Sequence, residues 1–395
     1  MLYRQASTNP TLILIILIAN LGIGLFIGYL SQSQPHIMGS GIPEVEGQIN
    51  NQLQLAWWPI FWRKFVAGTL AIGSGLILGR EGPSIQLGAT LGQGLGEYFE
   101  DNLPNQKVIF AAGAAAGLAA AFNAPLAGTF FVLEEIYHNF SPLIWMSTLA
   151  SSLSADFISM NIFSLTPVLH LGTIPYFPLN RYWQLIALGI IIGLLGYLYQ
   201  RVLLSVPKCY QYFFSRIPRA YHECIALLLI VPLGYFYPDL LGGGNKLILH
   251  LATIHWPISG IIALFLIRFI VSMIDYGSGL PGGIFLPILS LGAILGLLVS
   301  QLFVSWQLLP ATYISNFIVL GMAGYFACIS KAPFTAILLI TEMVGSLNHL
   351  MPLALTALSA YVVVDFLGGA PIYTSLLENM QLKRTLTTFS DKSTF

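Results

Sequence analysis

The stretch Gly79-Arg-Glu-Gly-Pro-Ser-Ile-Gln-Leu-Gly-Ala-Thr-Leu-Gly92 returns 204 residues later as Gly283-Ile-Phe-Leu-Pro-Ile-Leu-Ser-Leu-Gly-Ala-Ile-Leu-Gly296. Seven of the fourteen positions are identical: the opening Gly, the Pro and the Leu-Gly-Ala-x-Leu-Gly frame. A second correspondence, at 208 residues, sets 113–135 against 321–343 and matches Ala124-Pro125 to Ala332-Pro333 and Glu134 to Glu342. The chain therefore reads as two copies of one unit. In transporters, duplicated halves with Gly/Pro-interrupted helices point to a substrate site at the interface between them.

The solvent of that unit follows from composition. Only 8% of residues are charged, 56% are apolar, and the mean hydropathy is +0.78. A soluble domain of 395 residues needs far more polar surface, so this is an integral membrane protein. The first apolar run, residues 11–30, is long enough to cross about 30 Å of hydrocarbon at about 1.5 Å per residue. No small-residue cleavage site follows it, so it reads as a spanning helix and not as a signal peptide. Ten further apolar runs, the last at 350–367, include several too short to span and several cut by Gly or Pro. Irregular backbone at membrane depth is tolerated only where protein or a watery cavity satisfies it. Breaks at Asn123-Ala-Pro125 and at Lys331-Ala-Pro333 fall at matching positions of the two copies, which argues against a chance packing kink.

Charge gives orientation and excludes some partners. Sixteen basic residues balance sixteen acidic ones, so nothing suggests nucleic acid. The 201–219 segment carries Arg201, Lys208, Arg216 and Arg219 and no acid, which places it in the cytoplasm by the positive-inside rule. The same rule puts the Arg4 end and the Lys383-Arg384 tail inside, so both termini are expected to be cytoplasmic. The chain reads as a single transmembrane domain over 1–395, with repeats at about 11–165 and 182–375. No soluble regulatory domain, and nothing folded after Met380, is expected. Cys209, Cys224 and Cys328 have no metal or redox spacing and read as small apolar residues.

Three motifs, Gly39-Ser-Gly-Ile-Pro43, Gly79-Arg-Glu-Gly-Pro83 and Gly283-Ile-Phe-Leu-Pro287, each set Gly before Pro at the head of a helix. A helix start leaves N–H groups unpaired and carries partial positive charge, which suits a small anion. One such start is usually just the beginning of a helix. Three of them, one bearing a Glu in apolar surroundings, tilt the reading to a weak anion site from which the ion can leave again.

These three motifs together with Tyr373 resemble the signature set of the CLC family of chloride channels and chloride/proton exchangers, in order and over nearly the whole chain. The resemblance implies an all-α integral membrane protein of the CLC-type fold: two inverted-topology repeats with many tilted and broken helices. It also implies a homodimer in the lipid bilayer with one pore per subunit, no cofactor, and chloride and protons as the transported ions. By that similarity Ser40, Gly41, Ile42, Ile284, Phe285 and Tyr373 bind chloride, the first and last through hydroxyls and Ile284 and Phe285 through backbone N–H groups. Glu81 resembles the gating glutamate, with Arg80 and Gly82 in support: a carboxylate can occupy the site that chloride takes, and burial opposes its charge while helix starts favour it. Glu135, second of the Glu134-Glu135 pair, resembles the internal proton-transfer residue of the exchangers, where many channels carry an apolar residue. A helix cap is the other reading of either glutamate. Intramembrane carboxyls are otherwise functional by default.

Serine at position 40 implies chloride, whereas proline there goes with nitrate in some members. Leu286 departs from the alanine of many relatives, and little chain precedes residue 11 for a first cytoplasmic helix. Glu44 and Glu46 sit near a helix start, while Lys64, Arg268 and Asp275 need internal partners or an aqueous vestibule. The expectation is a chloride/proton antiporter of a bacterial inner membrane, with a passive chloride channel as the alternative. A hydrolase using Ser40 or Ser74 is disfavoured, since none of the seven histidines forms a motif with a Gly-flanked serine.

Overall fold

Each of the two interrupted segments turns on a non-glycine residue in the left-handed region. Asn123 (φ +52°) ends the helix Leu103–Phe122, and Pro125 opens the next; Lys331 (φ +63°) ends Ile314–Ser330, and Pro333 opens the next. Such a residue stops the helical ladder, and proline restarts it where its missing N–H costs nothing. The computed structural model describes residues 3–392 apart from 4, 6–10, 101, 164–167, 170, 173, 254 and 255.

The described chain is all-α. In order its helices are α1 Thr11–Ser33, α2 Ile42–Ile49, α3 Trp57–Gly73, α4 Glu81–Phe99, α5 Leu103–Phe122, α6 Pro125–Phe131 with a π-turn over Val132–Ile136, α7 Pro142–Phe163 and α8 Tyr182–Phe213. Then come α9 His222–Phe236, α10 Asn245–Leu251, α11 Ile258–Gly277, α12 Phe285–Ser305, α13 Ile314–Ser330, α14 Pro333–Val344, α15 Leu350–Phe366 and α16 Ile372–Lys392. Among the described residues six helices are long and apolar enough to span a membrane. Helix α1 shows Leu14, Ile15 and Ile18 outward, as a lipid-facing helix does, whereas α12 and α13 are almost entirely buried. The last helix runs past Met380 to Lys392.

In lipid, helix association rests on close packing, and small residues let backbones approach. Both copies use the same glycines for this. Gly88 of α4 lies against Gly113 of α5, and a Cβ added at Gly92 would stand 2.5 Å from the Ile109 carbonyl oxygen. In the second copy Gly292 of α12 lies against Gly321 of α13, where an added Cβ would stand 2.5 Å from the carbonyl oxygen, and Gly296 abuts the Phe317 carbonyl.

The two copies meet on an axis. Gly79 and Gly283, equivalent in sequence, exchange both backbone hydrogen bonds at 2.7 Å in an antiparallel bridge. Reciprocal bonding between equivalent residues is what a local two-fold relation produces. The pattern recurs at the far ends: Glu134 of the first copy accepts from the Phe334 and Thr335 N–H groups at the start of α14 (3.1 and 2.8 Å) and from Thr335 Oγ1 (2.9 Å). Glu342 of the second copy accepts from Leu126 and Ala127 N–H at the start of α6 (3.0 and 2.8 Å). Each copy thus satisfies the orphan donors of the other's broken helix.

Helix α1 fixes which features share a side. Arg219 Nη2 lies 3.7 Å from Met38 Sδ, just past the C-terminal end of α1. Helix α9 runs back along α1, with Glu223 accepting from Ser31 Oγ (2.8 Å), Leu227 O accepting from Asn20 Nδ2 (2.8 Å), and Gly234 against Tyr3. Tyr3 then lines a cavity of about 370 Å³ together with Arg80 and Asp239. Tyr3 and Arg80 therefore lie on one side, and the basic segment around Arg219 on the other. This corrects the expectation of a common side for the N-terminal end and the basic loop: α1 is a single crossing between them. Arg4 itself, and the side chains of Lys383 and Arg384, lie outside the described residues.

Candidate anion site and its carboxylates

Helix α2 begins after Gly41, whose φ of +85° is open to glycine at little cost. The turn wraps Ser40 inward: Ile42 N–H donates to Ser40 Oγ (3.1 Å), which leaves the hydroxyl hydrogen to point elsewhere. Two groups hold the loop in place. Lys64, wholly buried on α3, donates from Nζ to the carbonyls of Ile37 (2.9 Å) and Gly39 (2.8 Å), and Gln86 of α4 donates to the His36 carbonyl (2.9 Å). The Gly282 N–H donates to Gly39 O (2.9 Å), tying the loop to the second copy.

Glu81 opens α4 beside the Gly79–Gly283 bridge and is fully buried. Among the described residues neither carboxylate oxygen has a hydrogen-bond partner in good geometry, although the backbone amides of Glu81 itself, Leu286 and Arg80 lie close enough to favour its charge. Gly82 lets the Ser40 loop approach: a Cβ there would stand 2.5 Å from Ser40 O and 2.8 Å from Ser40 Cβ. Ile284 and Phe285 begin α12, and the first bond of that helix is Ile288 N–H to Ile284 O (2.9 Å), so the preceding N–H groups face out of the helix end. Phe285 is locked among Phe122, Phe131 and Phe326 with ring centroids 5.3, 6.2 and 4.2 Å away. Tyr373, at the start of α16, is buried and packs edge-on against Phe131 at 6.2 Å, and its hydroxyl has no partner among the described residues.

The starts of α4 and α12 thus meet at one buried carboxyl, with the Ser40 loop packed against Gly82 and Tyr373 within electrostatic reach. That arrangement can host a small anion or the carboxylate in its place, held by hydroxyls and backbone N–H groups, while the Lys64 ammonium is spent on loop carbonyls. Arg80 is exposed at the mouth of the Tyr3 cavity, which Leu286 also lines.

The paired glutamates part company in the π-turn, which Tyr137 N–H closes on Val132 O (2.7 Å). Glu134 is the helix cap already described. Glu135 points into the protein, 2% exposed, with Oε1 unpartnered among the described residues, in electrostatic contact with Glu46, Glu134 and Tyr373. Tyr373 is within electrostatic reach of both Glu135 and Glu81. Glu46 was legible only as a carboxylate near a helix start; here it is buried and accepts from Thr374 Oγ1 (2.9 Å). The charges needing internal partners have them. Arg268 donates to the carbonyls of Leu240, Gly242 and Gly243, and Asp275 accepts from Ile77 N–H at 2.6 Å. Ser74 only closes the end of α3, donating to Leu70 O (2.8 Å). Lys64, a cation in the middle of an apolar helix, carried a sequence signal; Gln86 and Thr374 carried none.

Comparison with known proteins agrees with this architecture. The family model of the voltage gated chloride channel matches residues 23–365. The chain is 35% identical over 361 residues to the H(+)/Cl(−) exchange transporter ClcA of Vibrio parahaemolyticus, covering 89% of this chain and 77% of the relative. It is 32% identical to the ClcA exchanger of Salmonella arizonae, covering 92% and 77%. The crystal structure of a slow cyanobacterial Cl−/H+ antiporter superposes with a TM-score of 0.89 at 33% identity, covering 97% of this chain and 91% of that one. A CLC-type fluoride/proton antiporter shares the fold, with a TM-score of 0.77 at 23% identity over 92% and 89%. With the duplicated glycine frame, the bridged helix starts and these likenesses taken together, the chain belongs to the CLC family of voltage gated chloride channels and exchangers.

Proposed function

We propose that the protein exchanges chloride for protons across a bacterial inner membrane, as a homodimer with one pore per subunit. The observation that carries this reading is the pair of buried carboxyls, Glu81 and Glu135, both within electrostatic reach of the buried Tyr373. Ionised Glu81 competes with chloride for the helix starts of Ile42, Glu81 and Phe285. A proton taken up by Glu81 cancels that competition, the side chain leaves, and chloride enters against the hydroxyls of Ser40 and Tyr373 and the N–H groups of Ile284 and Phe285. Gly41 and Gly82 allow the close approach, and Arg80 adds positive field at the mouth. Protons pass between Glu81 and Glu135 in the direction that the gradients set, while Glu134 supports the framework as a cap.

With the basic segment around Arg219 in the cytoplasm, α16 begins on the cytoplasmic side, and Tyr3 and Arg80 face outward. The repeats divide at about 11–165 and 182–375. A passive chloride channel of the same fold is the second reading, and the intact Glu135 favours exchange over it.

Purified protein in liposomes separates them. A chloride gradient is expected to drive protons uphill in the native protein. Glu81→Gln and Glu135→Gln are each expected to keep chloride flux and lose proton coupling. A reversal potential indifferent to pH in the native protein would leave only the channel.

A further inference from the structure

Glu135 is 2% exposed, so a proton needs a route to it. Glu135 is in electrostatic contact with Glu46 of α2, itself buried, with Oε2 unpartnered among the described residues. Glu46 Oε1 accepts from Thr374 Oγ1 and lies 3.8 Å from the Nε2 of His138, whose side chain is 46% exposed. His138 thus joins solvent to a buried carboxyl pair.

The imidazole is set up for this by its backbone. His138 follows the π-turn at a φ of +50°, which brings Nδ1 to 2.9 Å from the Glu134 carbonyl oxygen. A carbonyl only accepts, so Nδ1 carries a hydrogen in both charge states. The exchangeable proton is therefore confined to Nε2, the atom that faces Glu46. Neutral imidazole would turn a lone pair toward a carboxylate oxygen, an arrangement relieved when one proton resides on Nε2 or on Glu46. The Glu46 carboxylate accordingly raises the His138 pKa above the ordinary histidine value, against the opposing effect of partial burial. The other groups around Glu46 do not replace this role. Glu134 is taken up at α14, Tyr373 and Thr374 offer hydroxyls only, and Lys107 of α5 donates to the Ile49 carbonyl.

We infer that His138 and Glu46 form the inner proton inlet of this protein, His138 collecting a proton at Nε2 and handing it through Glu46 to Glu135. The inference rests on the reading of Glu135 as the internal proton-transfer residue. In each passage imidazolium Nε2–H gives its proton to Glu46, Glu46 gives one to Glu135, and solvent restores the imidazolium; Nδ1–H never leaves.

The test uses the full chain in liposomes, with proton uptake and chloride efflux recorded together under a chloride gradient. A positioned proton-transfer group commonly contributes about a hundredfold. With residual access of water, His138→Ala is expected to slow coupled exchange about tenfold at an unchanged exchange ratio. Glu46→Gln is expected to do the same, and added imidazole is expected to restore the His138→Ala rate. In the Glu135→Gln background, where only uncoupled chloride flux remains, His138→Ala is expected to change nothing. Native proton rates in His138→Ala or Glu46→Gln, or no rescue by imidazole, would overturn the inlet. So would an equal loss of chloride flux in the Glu135→Gln background, since that marks a merely structural residue. Full coupling in Glu135→Gln alone would instead remove the Glu135 reading and the inlet with it, so the two failures are distinguishable.

Discussion

At the residue scale the site depends on a buried cation that is spent on backbone carbonyls. Lys64 spends two of its three donors on the Ile37 and Gly39 carbonyls, and so determines where Ser40 points. Removing it leaves the Ile37 carbonyl without its donor, while Gly39 O keeps the Gly282 N–H; one buried acceptor left unsatisfied costs about 1–3 kcal/mol. Lys64→Met is therefore expected to loosen the Ser40 loop and weaken chloride binding about tenfold, equivalent to about 1.4 kcal/mol, as read by calorimetric titration of the purified protein. Unchanged affinity would mean that Gln86 and the Gly282 bond hold the loop alone. Ser40, Glu81 and Tyr373 were legible in the sequence because each sits in or after a Gly/Pro motif whose order is specific. Glu46 and His138 were not, because neither stands in such a motif and their proximity arises only when α2 packs against the π-turn.

At the element scale the broken helices were legible at both ends. An Asn or Lys followed by Ala-Pro has to stop one helix and start another, and both positions do so. The start of α2 was legible at Gly41-Ile-Pro43, but its extent was not, because eight residues give too few turns for a periodic pattern. Nor was the exchange of caps: a helix cap was one reading of Glu134, but that its donors lie in the other copy was not readable. A capping side chain is worth about 0.5–2 kcal/mol. Glu134→Ala and Glu342→Ala are each expected to lower stability by about that amount and to lower it additively, since they serve separate helices. Thermal unfolding in detergent measures this. Glu134→Gln is expected to keep proton coupling, in contrast to Glu135→Gln; loss of coupling there would give Glu134 a transport role.

At the scale of the whole molecule, duplication and membrane class followed from the repeated glycine frame and the scarcity of charge. The placement of the N-terminal end did not. Charge counting sees each loop separately, whereas the side on which Tyr3 lies is set by one crossing of α1 and the return of α9. Single cysteines introduced at Tyr3 and at Arg219, in a background lacking Cys209, Cys224 and Cys328, are expected to react with an impermeant thiol reagent from opposite faces. Tyr3→Cys is expected to react from outside intact cells and Arg219→Cys only after permeabilisation. Labelling of both from one face would contradict the arrangement.

The reciprocal carboxylates at Glu134 and Glu342 have a consequence for biogenesis. The first half leaves the ribosome with a helix start that stays unsatisfied in hydrocarbon until the second half arrives to receive and return the favour. A half inserted alone therefore keeps one broken helix without its cap.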